Sequence, residues 1–173
     1  SSDQIWTSAG VIGTWQKIDG ALKQISVGDN GRVWGVNSSD QIWTREGVNG
    51  TWQKIDGGLK YISVFSHSSS TSSVSDRVWG VNSSDQIWTR YGVNGTWQKI
   101  DGALKQISVG ADGRVWGVNK SDQIWTRAGV NGRWQRINGA LKYISVGADG
   151  RVWGVNSSDQ IWTRAGVIGT WQK

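Results

Sequence analysis

The chemistry this chain offers comes from aromatic rings, amides and guanidinium groups. Trp43, Trp88, Trp125 and Trp162 each follow Gln-Ile and precede Thr-Arg, which puts Arg45, Arg90, Arg127 and Arg164 two residues on. Asn37, Asn82, Asn119 and Asn156 stand six residues upstream of these rings. Sugars are recognised by this combination: a ring takes the apolar C–H face, while planar amides and guanidinium groups take hydroxyls or acids. These residues are the candidate ligand-binding set. The same types also suit other work, since large rings pack between sheets and Asn satisfies turn backbone.

The inventory argues against catalysis. There is no Cys, so there is no thiolate nucleophile, thiolate metal site or disulfide frame, and the single histidine, His67, lies in a Ser-rich stretch. Carboxylates such as Asp40 and Asp85 recur with the sequence repeat, whereas an acid/base pair needs two different environments. The expectation is a non-enzymatic protein without metal or cofactor. No apolar run approaches the length of a membrane span.

The net charge of +6 is concentrated in residues 120–156. There Lys120 stands where other copies have Ser, Arg133 where they have Thr, Arg136 where they have Lys, and Asn138 where they have Asp. Lys120, Arg133 and Arg136 form a candidate patch for an acidic ligand such as an anionic glycan or lipopolysaccharide. No nucleic-acid motif accompanies the charge, and nucleic acid is not an expected partner.

The elements that must position these residues are short strands. Residues 97–127 read as four of them, TWQKI (96–100), LKQISV (104–109), RVWGVN (114–119) and QIWTR (123–127). Asp101-Gly102, Asp112-Gly113, the 119–122 segment and Asn131-Gly132 supply turn chemistry between them. The unit repeats throughout: SSDQIW begins at Ser1, Ser38, Ser83 and Ser157, with KSDQIW at Lys120, giving spacings of 37, 45, 37 and 37 residues. A four-stranded meander that is apolar on both faces needs neighbouring copies to cover it, which predicts an all-β fold, a β-propeller. A β-solenoid is the alternative.

The pattern W-x-x-I-x-G-x-L-K-x-I-S-V-G-x-x-G-x-V-W-G-V-N-x-x-x-x-I-W fits Trp15–Trp43, Trp97–Trp125 and Trp134–Trp162, and Trp52–Trp88 once an insertion is removed. It resembles the tectonin repeat of β-propeller lectins, including fish-egg lectins and slime-mould tectonins. The resemblance implies a secreted or cell-surface protein that binds glycans on microbial or cell surfaces, with a defensive or agglutinating role.

One repeat array accounts for residues 1–173, as repeats 1–37, 38–82 (insertion 65–76), 83–119, 120–156 and a partial 157–173. With LKQISV innermost, blades are expected at about 21–56, 58–101, 103–138 and 140–173, with two strands left over at 1–18. That makes eighteen strands, or about four and a half blades, and favours a five-bladed or inter-chain closed ring. Residues 157–173 match 1–17 at sixteen of seventeen positions. This suggests a homo-oligomer or a window on a longer array. The alternative function is accordingly a structural or adhesive protein built from linked propellers. The insertion, FSHSSSTSSVSD, is expected to lengthen the hairpin between the first and second strands of its blade and to be an exposed, mobile loop.

Overall fold

The computed structural model describes residues 3–69 and 72–173, with the side chains of all but 67–69 and 72–75. Among the described residues there is no helix, and seventeen strands form antiparallel meanders. β1 (Gln4–Thr7) and β2 (Gln16–Ala21) make a two-stranded half-blade. The first full blade is β3 (Gln24–Val27), β4 (Arg32–Val36), β5 (Gln41–Glu46) and β6 (Gln53–Gly58). The second is β7 (Tyr61–Ser69), β8 (Ser72–Val81), β9 (Gln86–Tyr91) and β10 (Gln98–Ala103). The third is β11 (Gln106–Val109), β12 (Arg114–Val118), β13 (Gln123–Ala128) and β14 (Gln135–Ala140). β15 (Tyr143–Val146), β16 (Arg151–Val155) and β17 (Ile161–Ala165) form the fourth, whose outermost strand is reduced to the bridge between Thr163 and Gln172.

This is the propeller expected from the repeats. The innermost strands β3, β7, β11 and β15 pack in that order. Alternation along each strand sends one set of side chains forward and the other back. At the junction of the first two blades, Trp34, Val36, Ile42 and Ile55 meet Leu59, Ile62, Val64 and Val78 in one apolar cluster. The same positions recur at the next two junctions. Each large side chain so buried contributes roughly 1.5–3 kcal/mol. Gln24 and Gln106 add polar stitching: each side-chain amide exchanges two hydrogen bonds with the backbone of Ile62 or Ile144 on the next blade.

The glycine of the V-W-G-V motif has a packing cause. A Cβ on Gly117 would lie 2.5 Å from Leu104 Cδ1 and 2.8 Å from the Gln106 carbonyl, so the strand can approach its neighbour only without a side chain.

Two features differ from the sequence reading. The Asp-Gly pairs that end the TWQKI runs, and Asn138-Gly139 in their place in β14, do not turn the chain; they form bulges inside β2, β6, β10 and β14, where the register slips and Gly20, Gly57, Gly102 and Gly139 take positive φ. The insertion is no loose loop over its described part, because β7 and β8 run on into it as a lengthened hairpin. Asp76 is buried there, accepting hydrogen bonds from Trp34 Nε1 at 2.7 Å and Ser66 Oγ at 2.8 Å. The His67 side chain lies outside the described residues.

The succession of blades forms an arc. Ile25 and Val27 on the back of the first blade are 45% and 57% exposed, whereas Ile62 and Ile107 at the position of Ile25 are fully buried. On the front of the fourth blade Trp153 is 46% exposed, against at most 1% for Trp34, Trp79 and Trp116. Near the arc's axis the hydroxyls of Tyr61 and Tyr143 bond to each other. Burial, together with that bond, raises the Tyr61 pKa well above the ordinary tyrosine value.

Candidate functional site

Four equivalent clefts of 270 to 380 Å³ lie between successive blades. The cleft between the first and second blades shows the plan, with Ile42 and Gly57 of one blade facing Leu59, Asn82, Trp88 and Trp97 of the next. The others hold Asn37, Trp43 and Trp52; Asn119, Trp125 and Trp134; and Asn156, Trp162 and Trp171. The candidate Trp and Asn residues are thus brought together, one pair in each cleft.

The second ring of each cleft is Trp52, Trp97, Trp134 or Trp171. The bulge in the preceding blade's outer strand makes room for it: a Cβ on Gly57 would sit 3.0 Å from Trp97 Nε1. The same indole nitrogen donates to the carbonyl of Asp56 at 2.7 Å. Equivalent bonds hold Trp52, Trp134 and Trp171. The W-x-x-I-x-G spacing links ring and glycine only within one repeat, whereas the contact pairs Trp97 with Gly57 of the repeat before, so the sequence carried no direct signal for it. Trp15, with no described blade before it, is 70% exposed.

Arg45, Arg90, Arg127 and Arg164 do not line the clefts. They are buried, at 3 to 6% exposure, behind the second ring. Arg90 donates through Nε to the Gly92 carbonyl at 3.1 Å and through its terminal nitrogens to the Val93 carbonyl at 2.5 Å and Asp56 Oδ1 at 2.7 Å. Its guanidinium lies 5.0 Å from the Trp97 ring centroid. Arg45, Arg127 and Arg164 stack in the same way on Trp52, Trp134 and Trp171. The arginines are therefore clamps that orient a wall: Arg45, Arg90 and Arg127 each bond two carbonyls and a carboxylate, and Arg164 the two carbonyls alone. At Arg164, Asn138 replaces the aspartate, and burial lowers the pKa of the guanidinium.

The asparagines are partly committed too. Asn82 Oδ1 accepts from the backbone of Ser84 and Gln86, and Nδ2 donates to Gln86 Oε1. One N–H of the side chain is left for a ligand. Asp40, Asp85, Asp122 and Asp159 complete these turns at φ near 60°.

The basic patch separates into parts. Lys120 lies in the β12–β13 turn, with Nζ 3.4 Å from Asp85 of the neighbouring blade. Arg133 lies beyond the other end of β13, and the six residues of that strand span about 20 Å. Arg136 is the cross-strand partner of Trp125, so it shares that ring's face of the sheet. Lys54 and Lys99 take the same place beside Trp43 and Trp88. A cation beside each of these rings went unnoticed in the sequence because it lies on the adjacent strand.

A family model for the tectonin domain matches residues 1–132 and 71–173. The chain belongs to the tectonin family. No curated protein matches this tectonin chain. Among solved structures it is similar to human WBSCR16, at TM-score 0.66 and 8% identity over 88% of this chain and 50% of that one. It is also similar to Saccharomyces cerevisiae Sqt1, at 0.62 and 9% over 100% and 56%. A third is YCF48 from Cyanidioschyzon merolae, at 0.59 and 13% over 86% and 52%. These likenesses concern the propeller fold, and the tectonin chain spans about half the length of each of the three.

Proposed function

We propose that the protein is a multivalent, non-catalytic lectin whose inter-blade clefts bind sugars of cell-surface or microbial glycans, lipopolysaccharide among them, outside the cell. The observation that carries this reading is the recurrence of one cleft, with two tryptophans and an asparagine, at four successive blade boundaries. Two rings offer apolar faces to a pyranose, the asparagine offers a donor, and the basic residue beside Trp43, Trp88 and Trp125 favours anionic glycans. Several weak sites on one rigid body give avidity to a surface that repeats its sugars. The test is binding to a glycan panel that includes bacterial lipopolysaccharides, at two salt concentrations. Selective binding that weakens with salt supports the reading, and silence across the panel overturns it.

A second reading is assembly into larger or inter-chain propellers. The exposed Ile25, Val27, Trp153 and Ile161 favour it, because the corresponding residues are buried at internal junctions. Analytical ultracentrifugation across a concentration series tests it, and a constant mass near 19.0 kDa overturns it.

A further inference from the structure

A different opening lies on the rim formed by the turns between the two innermost strands of each blade. There each junction has one slot, flanked by a forward position on one blade and a backward position on the next. At the first junction these positions are Gly28 and Asp76, and the Asp76 carboxylate fills the slot, bonded to Trp34 Nε1. At the second they are Phe65 and Gly113, and the phenyl ring fills it, 3.5 Å from where a Gly113 Cβ would stand. At the third they are Gly110 and Gly150. None of the described residues lies within 4 Å of a Gly150 Cβ, and a cavity of about 270 Å³ remains, lined by Trp116, Arg114, Arg151, Asp112 and Asp149.

Trp116 stands where Trp34 does, but none of the described residues accepts its indole N–H. Arg114 is also without the partner that Arg32 and Arg77 have, as is Arg151, which lies opposite Ala165 and reaches only Thr163 Oγ1 at 3.5 Å. Arg32 pairs with Glu46 and Arg77 stacks on Tyr91, whereas Arg114 lies opposite Ala128. The third slot thus gathers an indole donor and two half-buried guanidinium groups, of which Arg114 belongs to the same blade as Trp116, and its first-junction counterpart already holds a carboxylate on the equivalent indole. Asp112 and Asp149 accept from the backbone N–H of Arg114 and Arg151 in their own turns and stand exposed. Their charge disfavours a polyanion and leaves room for a compact monoanion.

We propose that this slot binds a single carboxylate, that of an acidic sugar, between Trp116 Nε1 and the Arg114 guanidinium. Only the assignment to a sugar rests on the lectin reading. The test is titration of the full chain with glucuronate, and with glucose as the neutral counterpart, following tryptophan indole N–H resonances by NMR, with Trp116 assigned through Trp116→Phe. The expected result is a saturable shift of the Trp116 resonance with glucuronate and none with glucose. Gly150→Asp supplies a carboxylate as Asp76 does, and the shift is then lost. Ala128→Glu pairs Arg114 as Glu46 pairs Arg32, and affinity falls about tenfold. No shift, a shift with glucose as well, or an undiminished shift in both variants overturns the proposal. The indoles of Trp88 and Trp97 report the clefts separately, so failure of the lectin reading is distinguishable.

Discussion

Arg90→Met isolates what the buried guanidinium contributes, because methionine keeps most of the apolar stem and removes the charged fork. Two backbone carbonyls, of Gly92 and Val93, lose their donor. Hydrogen bonds from a charged group contribute about 1.5–3 kcal/mol each, so this loss is about 3 kcal/mol at the lower end. Asp56 is 78% exposed, and its ion pair adds under about 1 kcal/mol after solvent screening. Stacking on Trp97 adds about 0.5–1 kcal/mol. The expected destabilisation is about 4 kcal/mol, which for a chain of this size lowers the melting temperature by roughly 8–16 °C. Thermal and urea unfolding followed by circular dichroism measure it. Arg90→Lys restores charge without the planar fork and recovers only part of the loss. A destabilisation below about 1 kcal/mol for Arg90→Met refutes the clamp and returns Arg90 to the candidates for direct ligand contact.

Gly117→Ala forces a methyl group against Leu104 and the Gln106 carbonyl and is expected to cost about 1–3 kcal/mol in the same unfolding assays. Asp76→Ala leaves the Trp34 indole N–H without its buried acceptor, at about 1–3 kcal/mol by urea unfolding. Asp85 is desolvated, but bonds and charges from Lys60 and Lys120 outweigh that and hold its pKa below the ordinary aspartate value of 3.8. The stability it contributes is therefore present above pH 3.8 and lost as pH falls through the lower folded value, so Asp85→Asn is destabilising at neutral pH and the difference from the parent closes in acid. Trp88→Ala disables one cleft, and calorimetry with a monovalent sugar is expected to show binding stoichiometry fall from four to three.

The architecture was legible because every structural requirement is written several times. Period, strand length and turn residues agree in each copy, and the blade limits follow from placing LKQISV innermost. The Asp-Gly bulges were not legible, since Asp-Gly serves a hairpin turn and a bulge alike and only the strand register tells them apart. For the site, Trp88 and Asn82 could be picked out as neighbours along the chain. Trp97 could not be placed opposite them, because the wall it forms depends on Gly57 in another blade. Arg90 misled for a related reason: alternate side chains share a sheet face, which groups it with Trp88, but its fork is drawn away to the turn carbonyls of Gly92 and Val93. Arg114 acquires interest only by comparison of partners across strands.

Each cleft takes its walls from two blades, and this ties ligand to fold. A sugar that enters a cleft fastens the blades on either side, since separation of the pair destroys its site. Saturation at one hundred times the dissociation constant adds about 2.7 kcal/mol to the boundary concerned. The half-blade β1–β2 has the most to gain, because among the described residues it meets the first blade alone, through Ile5, Gly20 and Ala21 facing Trp43 and Trp52. Ligand would slow amide exchange there before it changed the interior of the array, so the edge of the molecule would register a bound glycan as rigidity.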